Sequence, residues 1–98
     1  MVIRLIGEMD QENVGNLRNK LIKIIEEKNV KNMVINMEKL EFMDSTGIGI
    51  IIGRYNQLKT NKKKLYVTNT NEQINKLFKI SGIYTIIDQY ELEKEVVK

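Results

Sequence analysis

The stretch Phe42-Met43-Asp44-Ser45-Thr46-Gly47-Ile48-Gly49-Ile50-Ile51-Ile52-Gly53-Arg54-Tyr55 decides how this chain is read. A strand-like run, Met33-Val34-Ile35-Asn36-Met37, lies just upstream, and the stretch itself has the spacing of a helix. Asp44 or Ser45 can serve as N-cap, accepting a hydrogen bond from the first unpaired backbone N–H groups. That end of a helix carries partial positive charge and bare donors, so it favours an anion. A serine hydroxyl there is well placed to carry a phosphate. A cap alone would also account for Asp-Ser-Thr.

The glycines ask for more than a cap. Gly47, Gly49 and Gly53 lie in or at the edge of the helix, where an interior glycine costs roughly 1 kcal/mol relative to alanine. At about 100° per residue, Ile48, Ile51, Ile52, Tyr55 and Leu58 form one apolar stripe. Gly49 and Gly53 fall on the other side, one turn apart, with Thr46, Ile50 and Gln57. The expected solvent face is flat and small, with Ile50 standing on it beside a hydroxyl. Two explanations stay open: another molecule docks closely there, or a segment of the same domain approaches the glycines.

Outward from this helix, strands alternate with helices. Val2–Gly7 reads as a strand. Asp10 is a candidate N-cap for a helix through about Lys28, with Val14, Leu17, Leu21, Ile24 and Ile25 at helical spacing. Lys31–Met37 is a second strand, followed by a solvated loop at Glu38, Lys39 and Glu41. The central helix runs from Ser45 to about Asn61 and a third strand from Lys64 to Thr68. Asn69-Thr70-Asn71 offers a cap for a helix with Ile74, Leu77 and Phe78 on one side, and Gly82 is its expected left-handed terminator. Tyr84–Ile87 reads as a fourth strand and Gln89–Lys98 as a terminal helix. Such alternation predicts an α/β domain with a mostly parallel sheet and right-handed crossovers.

Composition narrows the chemistry. The chain has 98 residues, the size of one domain, and 42% apolar residues. It has no cysteine, hence no disulfide or thiolate metal site. It has no histidine, which removes the commonest general base, any Ser-His pair and the usual zinc ligands. No catalytic residue, cofactor or metal is therefore assigned. No apolar run approaches the ~20 residues of a membrane span, and no signal peptide is visible, so the expected setting is the cytoplasm, with no membrane partner. The net charge of +3 is spread along the chain apart from Lys62-Lys63-Lys64. With only Tyr66 nearby to stack a base, that run reads as a solvated turn and predicts no nucleic-acid partner. Gly47-Ile48-Gly49 lacks the third glycine of a dinucleotide fingerprint at the right spacing, and no Gly-Lys-Ser/Thr marks a P-loop. Glu8 and Asp10 close a strand, where α/β proteins place functional groups. Without a partner base they read as a helix cap (Asp10) and an exposed surface group (Glu8).

The run FMDSTGIGIIIGRYNQLK resembles the signature of the STAS domain, specifically the bacterial anti-sigma factor antagonists. Gly53-Arg54-Tyr55 is most similar to the sporulation branch, and Asp44-Ser45-Thr46-Gly47 also to the general-stress branch. Leu5-Ile6-Gly7-Glu8-Met9-Asp10 resembles the family's segment between a strand and the first helix, and Phe78-Lys79-Ile80-Ser81-Gly82-Ile83 the one entering the last strand. The resemblance spans nearly the whole chain, residues 1–98, and implies a STAS-like single domain with a mostly parallel four-stranded sheet and about four helices. Family members usually begin with an extra strand; this sequence starts at the second, which is expected to leave a sheet edge open.

The resemblance further implies a phosphorylation-switched regulator of transcription and not an enzyme. The unmodified form binds an ATP/ADP-dependent anti-sigma factor that is also a serine kinase, releasing the sigma factor. Phosphorylation of Ser45, with Thr46 the lesser candidate, dissolves the complex, and a separate serine phosphatase reverses it. The partner-binding surface implied is Glu8, Asp10, Asp44, Thr46, Gly49, Ile50 and Gly53. Two other classes compete: a STAS module of a larger sensory or stress-signalling scaffold, and a small nucleotide-binding enzyme.

Overall fold

In the computed structural model, which describes residues 1–12, 14–28 and 30–91, four strands alternate with three α-helices. The strands are β1 (Val2–Met9), β2 (Asn32–Met43), β3 (Lys64–Thr68) and β4 (Asp88–Tyr90); the helices are α1 (Gly15–Glu27), α2 (Ser45–Thr60) and α3 (Glu72–Ser81). They form one sheet in the order β1-β2-β3-β4, with every neighbouring pair parallel. The expected α/β architecture with a parallel four-stranded sheet is thus present, with three helices among the described residues where about four were anticipated.

The alternation of the strands sorts side chains onto two faces. Met33, Ile35 and Met37 of β2 join Leu65 and Val67 of β3 in a core completed by Leu21 and Ile25 of α1, Ile48, Ile51 and Leu58 of α2, and Ile74 and Phe78 of α3. Phe78 is fully enclosed, and Tyr84 meets it edge-on at 5.5 Å between ring centroids. On the other face the in-register row Val2, Val34 and Tyr66 forms a smaller cluster with Tyr90, whose ring lies 5.9 Å from that of Tyr66.

Four boundaries differ from the sequence reading, each for a local reason. Asp10 does not cap α1. Its carboxylate accepts the Glu12 N–H at 3.2 Å, holding a turn instead, and α1 begins at Gly15 with Val14 in the cap position and no side-chain cap. The strand β2 does not end near Glu38. It continues to Met43, pairing Lys39, Leu40, Phe42 and Met43 with Ile6, Gly7, Glu8 and Met9 across two register shifts. Those shifts, with Gly7 at φ +91°, break the period of two, so residues 38–42 resemble a loop in sequence.

The fourth strand lies later than expected. Gly82 ends α3 in the left-handed conformation (φ 78°), as its sequence position predicts. Ile83–Thr85 then form a 3₁₀ turn, fastened by the Thr85 N–H and hydroxyl donating to the Gly82 carbonyl at 3.0 and 2.6 Å. Ile83 and Ile87 are its buried anchors, and the strand follows at Asp88–Tyr90. Gln89 and Tyr90 are therefore strand residues, and the rest of the expected terminal helix, from residue 92 on, lies outside the described residues. The lysine run splits: Lys62 takes the left-handed position after α2 (φ 59°) and Lys64 opens β3.

Candidate functional site at the start of helix α2

The site is built where β1 and β2 end together. Glu8 pairs with Phe42 and Met9 with Met43, and the Asp44 N–H then donates to the Met9 carbonyl at 3.2 Å. The chain turns into α2 at once. Gly47 makes this turn possible: a Cβ there would stand 2.5 Å from Met43 Cγ and 3.1 Å from Met9 Cβ. The first turn of α2 therefore lies directly on the two strand ends. Of the three helix glycines, this is the one that the domain's own packing requires.

Asp44 takes the cap. Its extended backbone (φ −110°, ψ −170°) and its carboxylate, which accepts the Thr46 N–H at 2.9 Å, satisfy one of the orphan donors of the first turn. Sequence alone left Asp44 and Ser45 as equal candidates. With Asp44 in the role, Ser45 is the first helical residue, exposed, with its hydroxyl at the positive end of the helix dipole. Thr46 is half-buried. Glu8 is exposed and Asp10 half-buried at the end of β1. These carboxylates form no group of three or more acidic side chains able to hold a metal among the described residues.

The glycine face lies open. Among the described residues a Cβ on Gly49 or on Gly53 would meet nothing within 4 Å, so no described part of the domain requires either residue to be small. Gly49 is exposed and Gly53 half-buried. With Ser45 and Asn56 they leave a shallow strip along α2.

Ile50 is a correction: it is 4% exposed and belongs to the core. The buried residues of α2 are Gly47, Ile48, Ile50, Ile51, Arg54 and Leu58, an arc of roughly 160° at 100° per residue. That arc is centred nearer Arg54 than the isoleucine stripe suggests, because α2 packs on α1 as well as on the sheet.

Gln57, also expected on the open face, instead ties the two helices together. Its Nε2 donates to the Ile22 carbonyl at 3.1 Å, and its Oε1 accepts from Arg54 Nε at 2.9 Å. Arg54 is 6% exposed, and its Nη1 has no hydrogen-bond partner among the described residues. Burial, then the charge of Arg18, pulls the Arg54 pKa below its ordinary value. A long basic residue between two glycine-bearing turns gave no hint of burial.

Phe42 was missed too. It is 39% exposed beside Glu8, in a stretch where the register shifts break the alternation that would have marked it.

Known proteins resemble this chain in sequence and in fold. The STAS domain family model matches residues 1–97. The anti-sigma F factor antagonist of Lysinibacillus sphaericus is 35% identical over 83 residues, covering 85% of this chain and 71% of that protein. The anti-sigma-B factor antagonist of Staphylococcus aureus is 31% identical over 81 residues, covering 83% and 74%. The solved structure of the Bacillus cell fate determinant SpoIIAA in its phosphorylated form superposes with a TM-score of 0.73 at 33% identity, covering 96% of this chain and 84% of that one. By its motif, its fold and these relatives, the chain belongs to the STAS domain family.

Proposed function

We propose that this chain is an anti-sigma factor antagonist switched by phosphorylation of Ser45. Its relatives are named for antagonism of anti-sigma F and anti-sigma-B factors, and one similar protein has been solved in a phosphorylated form. The observation that carries the reading is the division of labour at the start of α2. Asp44 caps the helix, Ser45 is exposed, and the strip beyond it is open over Gly49 and Gly53.

The partner is an anti-sigma factor that is also an ATP-dependent serine kinase, and a serine phosphatase restores the unmodified form. The partner surface comprises Glu8, Asp10, Asp44, Thr46, Gly49 and Gly53, with Phe42 added and Ile50 removed because it is buried. A phosphate adds about −1.5 to −2 charges at pH 7. On the free domain the helix N-terminus tolerates it. In a close interface it has to be desolvated among Glu8, Asp10 and Asp44, which disfavours binding. The protein acts by binding, with no catalysis of its own.

The test is to mix the chain with candidate anti-sigma kinases and ATP and to map the gain of one phosphate. Modification falls on Ser45, with Thr46 the only tolerated alternative. Ser45→Ala keeps kinase binding and is not modified, while Ser45→Asp stays folded and binds poorly. Phosphate on any other residue, or full binding by folded Ser45→Asp, overturns the reading.

A further inference from the structure

The lysine run after α2 is not used up by the helix it follows. Basic side chains near a helix C-terminus can serve its last carbonyls, but those of α2 are already engaged. The Asn56 carbonyl accepts the Thr60 hydroxyl at 2.9 Å and the Gln57 carbonyl the Asn61 side-chain amide at 3.4 Å. The Leu58 carbonyl accepts the Asn61 and Lys63 N–H groups, and the Lys59 carbonyl accepts that of Lys62. This closure puts Lys62 in the left-handed position that Gly82 takes after α3 (φ 59° against 78°), a conformation that costs lysine more than glycine. The chain thus holds a charge where its other helix ending has a glycine. Lys59, Lys62 and Lys64 are exposed, and the side chains of Lys62 and Lys64 have no hydrogen-bond or ion-pair partner among the described residues.

These three lysines rim a cleft of about 320 Å³ whose floor is apolar. Leu65 is buried, Tyr55 half-buried and Ile86 44% exposed. Among the described residues Asp88 is the one acid of the lining. The cleft opens where β3 begins, whereas Glu8, Glu41 and Asp44 stand at the other end of the parallel sheet, where β1 and β2 end. Charge and floor together name the occupant. Unpaired cations around an apolar centre are complementary to carboxylates around an apolar side chain. We propose that this cleft is a second docking surface, which takes an acidic segment of a partner protein. One aliphatic side chain of that segment rests on Leu65, Tyr55 and Ile86, with carboxylates against Lys59, Lys62 and Lys64. A nucleic acid fits it less well. The Tyr55 ring already carries Lys59, whose Nζ lies 5.7 Å from its centroid, and no other aromatic residue among those described lines the cleft to stack a base. The 16 residues of α2 set the cleft about 24 Å from Ser45, so the inference stands apart from the kinase reading.

The test titrates the whole isotopically labelled chain with three probes while its amide resonances are followed. The probes are a hexapeptide of two leucines flanked by glutamates, the same peptide with serines for the leucines, and a single-stranded oligonucleotide of equal charge. The leucine peptide shifts residues 55–65 and 86–88 and leaves residues 44–49 unmoved. Its affinity falls as salt is raised, and it binds roughly fivefold or more tighter than the serine peptide. Ile86→Ser removes that preference.

Lys62→Glu/Lys64→Glu weakens binding roughly tenfold or more. Lys23→Glu/Lys76→Glu makes the same change in net charge at exposed positions of α1 and α3, and stays within about twofold of wild type. Ser45→Asp binds the peptide as wild type does, which separates this surface from the one at the start of α2. Melting curves confirm that each variant is folded. The absence of binding at millimolar peptide overturns the proposal, as do equal losses in the two charge-reversed variants. An oligonucleotide that binds as tightly as the leucine peptide, or a response centred on residues 44–49, overturns it too.

Discussion

Substituting alanine at the three glycines of α2 separates a surface kept small for a partner from one kept small by the fold. Alanine adds the same methyl group and a similar gain in helix propensity at each, about 0.5–1 kcal/mol, with reduced freedom of the unfolded chain included. At Gly53 the new Cβ meets none of the described residues within 4 Å, so the gain is realised in full. For a domain of this size about 1 kcal/mol moves the melting temperature by 4–8 °C, so Gly53→Ala melts roughly 2–8 °C above wild type. Gly49→Ala does the same. At Gly47 the Cβ falls 2.5 Å from Met43 Cγ and 3.1 Å from Met9 Cβ. The methionine can swing aside, but Met9 Cβ is fixed to the backbone of β1. Overpacking of this kind costs about 1–3 kcal/mol, more than the propensity gain, and Gly47→Ala melts below wild type.

The difference between Gly53→Ala and Gly47→Ala is the sharper quantity, since the propensity contribution cancels and only the packing cost of about 1–3 kcal/mol remains. Urea titrations with unchanged slope, beside thermal melts, measure it. A Gly53→Ala variant less stable than wild type, or equal stabilities for the two variants, would refute the assignment of Gly53 to an open face. The companion Gly53→Gln is expected to fold normally and to weaken partner binding by holding the surfaces apart. Binding lost only in proportion to unfolding would count against docking on this strip.

Three further outcomes follow from the geometry. Asp44→Ala removes the cap of α2 and lowers stability by about 1 kcal/mol, read by the same melts; no change would mean that another group caps the helix. Arg54→Met keeps the bulk but removes a buried guanidinium whose Nη1 has no partner among the described residues, so its stability equals or exceeds wild type, whereas Arg54→Ala is less stable through lost packing; a large loss in the methionine variant would refute this account. The Tyr84 hydroxyl, donating to Asn75 Oδ1 at 2.7 Å, has its pKa raised chiefly by burial. The folded state therefore holds this proton more tightly than the unfolded chain, and the resulting stability is present below the ordinary tyrosine range near 10 and lost as pH rises through the higher folded value. Urea titrations across that range should show an alkaline fall that Tyr84→Phe diminishes.

The architecture was legible because its signals were redundant. Strands with inward-facing Met33, Ile35 and Val67, a helix with buried Leu21 and Ile25, and a glycine terminator at Gly82 each say the same thing twice, through periodicity and through punctuation. The serine at the mouth of α2 was legible for the same reason. What failed were places where one local rule had to outweigh another. Asp10 is as good a cap as Asp44, but its carboxylate is taken by the turn at Glu12. Residues 38–42 are strand without strand periodicity because register shifts on β1 absorb the mismatch. Ile50 and Arg54 were misplaced because a helix wheel fixes relative angles and not the width of the arc that neighbours cover. Contact with α1 widens that arc, and a buried arginine with an unpartnered nitrogen leaves no mark in a hydrophobicity pattern.

The division of α2 explains why the proposed switch at Ser45 can be local. Were Ser45 the cap, modifying it would remove a bond the fold relies on, and the charge would be read as a change in stability. With Asp44 holding the Thr46 N–H, the serine hydroxyl is spare. Its modification leaves the cap, the Gly47 contact with Met43 and Met9, and the Arg54–Gln57 link to α1 in place. A phosphate near a helix N-terminus is also locally favourable. The free domain therefore gains no reason to unfold or rearrange, and the whole effect of the charge has to appear in the complex. In the proposed complex, a partner lying against bare glycine backbone excludes water, and the phosphate meets Asp44 and the β1 carboxylates in a medium that screens them weakly. On the proposed reading, the closeness that the glycines permit is what makes the complex both tight and sensitive to one added phosphate.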